Sequence, residues 1–357
     1  MTIQNASTAP ATMTLLTRAV DQLSSQTTAL QSQVSSGVVS DSYADLGDGR
    51  YQALDLQPQI TQIAGWQTNI SSAQATLDVT QTAMSRIATI ASNLQTSLTT
   101  LQGDTSATTV SNAALQARQS LTELASLLNT KNASSYVFGG TASDTPPVAD
   151  PSAITQSSFF QSIGSSVSDL GTLGADGVQT ATVATASDNS LATSPFSAAL
   201  SVTGQASSAL TRSVTVGDQD HVAIGFVATS GGTPSTSSTG SSIRDLMSAL
   251  AVVGNLDQAS PATTGFAALV KNTSAQVSAA DDSLNLSIAS LGQTQANMTG
   301  QSTVLGQVSD ALTTQLSAVK DSDPAAVSAQ LTATQNQLQA SYSLIADMKN
   351  MSLASYI

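Results

Sequence analysis

The chain has 357 residues, enough for two or three domains with a sizeable core. Only 9% of its residues are charged and 3% are aromatic, the formal net charge is −13, and there is no cysteine. These values exclude a disulfide scaffold and a thiolate metal site, and they argue against nucleic acid or anionic lipid as partners. Leu, Ile and Val nevertheless recur at regular spacings, which is typical of folded helices and not of a disordered chain.

The first regular segment is a heptad pattern that starts at Met13 and stops before Gly37. Its apolar residues alternate spacings of three and four, which favours a narrow coiled-coil seam over an ordinary amphipathic helix. Gly37 has the residue type of a helix C-cap. The seam comprises Met13, Leu16, Val20, Leu23, Thr27, Leu30 and Val34.

A connector rich in Gly and Asp, residues 38–50, precedes two further heptad segments. They predict a long helix over about 54–101 and a shorter helix over about 106–131. Trp66, the only tryptophan, lies on the seam of the long helix, so we expect it in the core and not against a ligand.

The pattern changes near Tyr136, after which the chain is rich in Gly, Ser and Thr. Three short runs there are β-like, namely 178–185, 210–216 and 221–229. The last two flank Gly217-Asp218-Gln219-Asp220, which has the composition of a hairpin loop. We therefore predict a β-rich domain at 137–240, inserted between two helical halves of the chain.

Helical spacing returns after the insert. A short helix is capped by Ser241 or Ser242 and closed by Gly254, and a rod follows over about 261–320. Asp323 and Pro324 then have the residue types of an N-cap and a first helical position, so a last helix begins there. Every seventh residue of the rod is apolar: Val270, Val277, Leu284, Leu291, Met298, Leu305, Leu312 and Val319.

The order of the segments is symmetric about the insert, and the two long segments have similar lengths. We therefore predict a mainly α fold, a long antiparallel heptad-repeat helical bundle made from both chain ends, with an inserted small β-rich domain. The expected domains are a terminal coiled-coil assembly domain (1–42 and 323–357), a helical bundle core (43–136 and 241–322) and the outer insert (137–240).

Terminal helices of this kind bury little surface alone, and exposed seams usually find partners in other copies of the chain. We therefore expect a homo-oligomer, either a ring or a helical layer, that assembles through the two terminal seams. The predicted assembly residues are Met13, Leu16, Val20, Leu23, Leu30, Val34, Val327, Leu331, Leu338, Tyr342, Ile345 and Met348.

The residues do not indicate an enzyme. His221, the only histidine, lies beside Asp220 in a predicted hairpin and not in a pocket that would fix a catalytic triad. Asp281 and Asp282 lack the dense oxygen ligands of a calcium site, so a solvated helix face explains them better. We expect no catalytic, metal or cofactor-binding residues and no cofactor.

Two absences in the sequence bear on localisation. No apolar run approaches 18 residues, so we expect no membrane insertion. Residues 1–20 lack a basic leader followed by an apolar stretch, so we expect no cleaved secretory signal.

Four stretches resemble bacterial flagellins and the flagellin-like hook-associated proteins. Residues 31–37 (QSQVSSG) resemble the end of the first helix in that family, and 135–141 (SYVFGGT) resemble the point where its helical core gives way to an outer domain. Residues 216–226 and the ending, 335–357, are most similar to members at the hook–filament junction.

The resemblance implies a structural subunit of the extracellular bacterial flagellum, exported unfolded through the flagellar secretion channel. It implies as partners other copies, the hook-side junction protein, flagellin and an export chaperone. The implied function is an adaptor that joins the hook to the filament, with filament flagellin as an alternative. Ser40-Asp41-Ser42 and Ile357 favour the adaptor, because filament flagellins commonly have a double aspartate and often a C-terminal arginine there. An adhesin-like binding module on a helical stalk is a further alternative.

Overall fold

The computed structural model describes residues 9–40 and 42–354, with side chains over 13–40 and 42–348. Within these residues no helix combines the length and the apolar character needed to cross a bilayer. The helices are α1 Ala9–Ser36, α2 Gly49–Gly103, α3 Ala107–Leu128, α4 Ser158–Ser168, α5 Leu170–Ser187, α6 Gly204–Ser208, α7 Ser242–Gly254, α8 Phe266–Lys320 and α9 Pro324–Ala354. The strands are β1 Lys131–Asn132, β2 Ser135–Tyr136, β3 Arg212–Thr215 and β4 His221–Ile224, in the antiparallel pairs β1–β2 and β3–β4.

The chain divides into two compact units. Unit 1 comprises the described residues of Met1–Ala64 and Gly306–Ile357, and unit 2 comprises Gly65–Leu305. Helices α2 and α8 contribute residues to both units. The division into three domains drawn from the sequence stays a prediction.

The predicted fold class is confirmed. The structure is mainly helical, and its long helices pack together, α2 with α8 and α1 with α9, with small two-stranded sheets inserted between the two halves. The heptad repeat explains this pairing, because it keeps apolar residues on the face that meets the partner helix. In α8 the repeat is buried from Val270 to Leu305 and only partly buried at Leu312 and Val319.

The helix ends confirm Gly37 and Asp323 as capping residues, whereas Ser241 precedes α7 without a side-chain capping hydrogen bond and Gly254 is the last residue of α7 with Asn255 as its C-cap. Gly37 has a positive φ of 73° and its N–H donates to the Gln33 carbonyl at 2.9 Å, which closes α1. Asp323 accepts a hydrogen bond from the Ala325 N–H at 2.9 Å and so caps α9, whose first residue is Pro324.

The insert contains the predicted hairpin but more helix than its composition indicated. Strands β3 and β4 pair as expected from the runs at 210–216 and 221–229. The predicted strand at 178–185 is wrong, because these residues are helical and belong to α5. The buried residues Val178, Thr182 and Ala186 recur at helical spacing, so the burial of one face outweighs the strand preference of Val and Thr.

Trp66 departs from expectation in a smaller way. It lies on the α2 seam but is only partly buried, whereas neighbouring seam residues such as Ile63 and Ile70 are buried. The indole ring is therefore not enclosed in the core.

The side chain of Arg244, in α7, contacts the end of α5 and the loop that follows α5. Its guanidinium is buried and lies 5.3 Å from the centre of the Phe196 ring. It donates hydrogen bonds to the Ala186 carbonyl at 2.9 Å, to Asn189 Oδ1 at 2.9 Å and to the Val202 carbonyl at 3.1 Å. One side chain therefore fixes the end of α5 and the loop that follows it.

The next residue, Asp245, buries a carboxyl group in the same helix. It accepts hydrogen bonds from Ser238 Oγ at 2.5 Å and from the Thr239 N–H at 2.7 Å, which order the chain before α7. Burial raises the pKa of Asp245, and these hydrogen bonds oppose the rise. Burial also lowers the pKa of Arg244 to about 10, which leaves the guanidinium charged at neutral pH.

We predict that Arg244→Met lowers the free energy of unfolding by about 3 kcal/mol, because it leaves buried oxygens without their donors. Urea denaturation followed by circular dichroism measures this change. The control is Arg86→Met, which removes an exposed arginine of α2 and should change the same free energy by less than about 0.5 kcal/mol. Equal effects of the two substitutions would contradict a structural role for Arg244.

Candidate assembly surface

The predicted assembly residues lie on α1 and α9, which contact each other in unit 1. Three of the twelve are buried within the chain, namely Val20, Leu30 and Val327. Six are partly buried: Leu16, Leu23, Leu331, Leu338, Ile345 and Met348. The remaining three, Met13, Val34 and Tyr342, are exposed.

The structure therefore brings the two seams into one helix pair but leaves the apolar surface of that pair only partly covered. Tyr342 retains 53% of its accessible surface, and Met13 retains 41%. Fully burying an apolar side chain contributes roughly 1.5–3 kcal/mol of stabilisation, so covering this surface with a partner would stabilise the helices further. We call the surface formed by the twelve residues the terminal seam.

Three polar residues that lie between the residues of the terminal seam, Thr27, Thr334 and Ser341, do not prevent it from packing against another apolar helix. The Thr27 hydroxyl donates to the Leu23 carbonyl, and the Thr334 hydroxyl donates to the Gln330 carbonyl, both at 2.8 Å. Ser341 makes the same kind of bond within its own helix. Because these hydroxyl groups are already paired, a partner helix can cover them without leaving an unsatisfied donor.

Sequence reasoning missed two apolar residues of this surface. Leu15 is 63% exposed and Leu344 is 51% exposed, and both lie off the heptad positions. Leu15 directly precedes Leu16, and Leu344 directly precedes Ile345, so each widens the apolar face beyond one seam. The signal in the sequence was the pair of adjacent large apolar residues.

Few charges oppose close packing of this surface. In sequence, α1 contains only Arg18 and Asp21 as charged residues, and α9 contains only Asp347 and Lys349. Most other positions outside the seam are Ser, Thr, Gln or Ala. Bringing copies together therefore desolvates few charged groups, which are the costliest to bury.

Backbone hydrogen bonds join the two connectors at one end of the α1–α9 pair. The Val39 N–H donates to the Lys320 carbonyl at 2.7 Å, and the Ser322 N–H donates to the Gly37 carbonyl at 3.0 Å. The side-chain amide of Gln33 also donates, through Nε2, to the Val39 carbonyl at 2.8 Å. The connector after α1 and the connector before α9 are thus joined within unit 1, so the C-terminal end of α1 and the N-terminal end of α9 are held together.

The residues considered for chemistry are not gathered into a site. His221 is exposed on the β3–β4 hairpin, where its Nδ1 lies 3.1 Å from Thr215 Oγ1. The pKa of Asp281 is raised, first by burial and then by the neighbouring charge of Asp282. In the part of the chain that the structure describes, no group of three or more His, Asp or Glu residues is placed to hold a metal ion.

Comparison with known families finds a match at each end of the chain. The family described as "Bacterial flagellin N-terminal helical region" matches residues 7–142, and "Bacterial flagellin C-terminal helical region" matches residues 274–357. The two ranges cover well over half of the chain and contain all twelve residues of the terminal seam. No curated protein matches the chain significantly. The chain therefore belongs to the bacterial flagellin family, whose members are structural, non-enzymatic proteins of the extracellular flagellum.

Proposed function

We propose that this protein is the adaptor that joins the flagellar hook to the filament, and that it assembles through its terminal seam. The observation that carries assembly is the apolar surface that α1 and α9 leave uncovered. The choice of adaptor over filament subunit rests on the sequence. Ser40-Asp41-Ser42 replaces the double aspartate common in filament flagellins, although residue 41 lies outside the described residues.

Assembly then follows from a balance between burial and conformational entropy. Ordering a terminal helix costs roughly 1–2 kcal/mol per residue in backbone entropy, which the α1–α9 contact offsets only in part. Burial against neighbouring copies supplies the remainder, at roughly 25 cal/mol per Å² of apolar surface. We infer that the terminal helices of a free copy are less well ordered than those of an assembled copy.

The same surface explains the other partners that we propose. Other copies and the adjoining axial proteins, namely the hook-side junction protein and flagellin, would cover the terminal seam in the assembled flagellum. An export chaperone would cover it beforehand, because an exposed apolar surface promotes nonspecific association.

We predict that Tyr342→Asp lowers the amount of this protein on isolated flagella by about tenfold or more, because a carboxylate cannot enter the apolar contact between copies. Immunoblotting of purified flagella measures the amount, and circular dichroism of the purified variant checks its helix content. The matched control is Leu115→Asp on α3, since Leu115 is 52% exposed and Tyr342 is 53% exposed. Normal assembly of Tyr342→Asp, or equal loss in both variants, would argue against the terminal seam.

Immunogold labelling tests the place of the protein in the flagellum. The adaptor predicts a single band of label where the hook ends. Label along the whole filament would identify a filament flagellin instead. Normal motility after deletion of the gene, together with ligand binding by the insert, would favour the adhesin-like alternative.

A further inference from the structure

Unit 2 has an apolar groove between α2 and α3. The groove encloses about 420 Å³, and Val79, Ala83 and Leu127 line its middle. Asp78 and Arg86 lie at its two ends, eight residues or roughly 12 Å apart along α2. The groove therefore offers an apolar surface between a negative and a positive end.

The charged residues at the two ends of the groove differ in the partners that they have within the chain. The Asp78 carboxylate accepts a hydrogen bond from the side chain of Gln295 in α8. Arg86 is exposed and has no ion-pair partner among the described residues, where the single ion pair joins Arg118 and Asp257. The positive end is thus available to an anionic group from outside the chain.

Another part of unit 2 has the complementary features. Leu286 of α8 is 73% exposed, the most exposed large apolar side chain of unit 2 among the described residues. Asp282 lies one turn earlier on the same face of α8 and is also exposed. It too has no ion-pair partner within the described residues. An apolar side chain with an anion one turn away matches a groove with a cation at one end.

The hydrogen bonds between α2 and α8 show the height of Leu286, meaning its position along the helix axis relative to the residues of α2. In these antiparallel helices, Gln295 is level with Asp78, and Ser274 is level with Gln95, to which it is hydrogen-bonded at 2.8 Å. Counting nine residues from the first pair places Leu286 level with about residue 87, and counting twelve from the second places it level with about residue 83. Leu286 is therefore at the height of the groove.

This alignment also fixes which charges would meet. Asp282 is one turn from Leu286 in the direction of the C-terminal end of α2. A second copy that stands beside the first, at the same height and in the same direction, would place Leu286 at the height of residues 83–87 and Asp282 at the height of residues 87–91, at the Arg86 end of the groove. The other end of the groove, Asp78, would stay at a distance from Asp282, so no like charges are brought together.

We propose that Leu286 of one copy inserts into the α2–α3 groove of the neighbouring copy, and that Asp282 pairs there with Arg86. The two surfaces are different, so the contact is head-to-tail around a ring or helical layer and repeats with every added copy. The proposal rests on the proposed function, in which copies of the chain assemble with one another. It does not depend on whether the layer lies at the hook or in the filament.

Charge reversal in the full-length protein tests this contact. Arg86→Asp and Asp282→Arg should each lower the amount of protein on isolated flagella by about tenfold, because each places like charges in the contact. The double variant restores an opposite pair and should return the amount to within about twofold of wild type. The control double variant, Arg86→Asp with Asp310→Arg, reverses another exposed aspartate of α8 and should not recover.

Other outcomes would overturn the proposal. Loss with Arg86→Asp but not with Asp282→Arg would mean that the groove binds a different partner. Unchanged single variants, or a double variant no better than Arg86→Asp alone, would mean that the two residues do not meet. Immunogold labelling of the wild-type protein in the same cells tests the proposed function separately, so a misplaced label and a failed rescue are distinguishable.

Discussion

Apolar burial along the heptad repeat of α8 is the interaction on which the rest of the structure depends. The repeat runs without interruption from Val270 to Val319, but its burial is not uniform. Positions up to Leu305 are enclosed within unit 2, whereas Leu312 and Val319 in unit 1 are only partly covered. The apolar repeat of α8 thus extends beyond the part of the helix that other segments of the same chain cover completely. The terminal seam on α1 and α9 continues this trend, since nine of its twelve residues remain partly or fully exposed.

The surroundings of the terminal seam suit packing between copies. The hydroxyl groups of Thr27, Thr334 and Ser341, which lie between its residues, are paired within their own helices, and the two helices contain few charges. Backbone hydrogen bonds also join the C-terminal end of α1 to the start of α9. The seam therefore needs only apolar surface from a neighbour, and we propose that burial of that surface drives association. The contact that we propose for the groove between α2 and α3 is of another kind. It would join one apolar side chain and one ion pair, which contribute direction and register more than affinity.

Much of the helical part of this structure was predictable from the sequence. A repeat sustained over many heptads is a local and redundant signal, and cap residues such as Gly37 and Asp323 mark helix ends by their own chemistry. The insert was less predictable because its order depends on contacts between distant residues. Arg244 bonds to groups more than forty positions away, and no local pattern in the sequence reveals this. Residues 178–185 illustrate the same limit, since their strand-like composition was outweighed by the packing of α5 against α4 and α7.

The assembly surface was likewise predictable only in part. Heptad spacing identified the seam residues, but not Leu15 and Leu344, which lie off the seam. The groove was not predictable because it requires the spatial relation of α2 to α3 and the register of α2 against α8. The matched family regions are shared by flagellins in general, so they establish flagellar structure without distinguishing a junction protein from a filament subunit.

The most direct test of the central claim is amide hydrogen exchange of the full-length protein, measured by mass spectrometry on free copies and on assembled flagella. Amides of residues 16–34 and 327–345 report on the terminal seam, and amides of residues 70–98 in α2 are the internal reference. If neighbouring copies complete the seam, protection of the terminal amides should rise by about a hundredfold on assembly, while the reference stays protected in both states. Equal protection of the terminal amides in free and assembled protein would contradict the account.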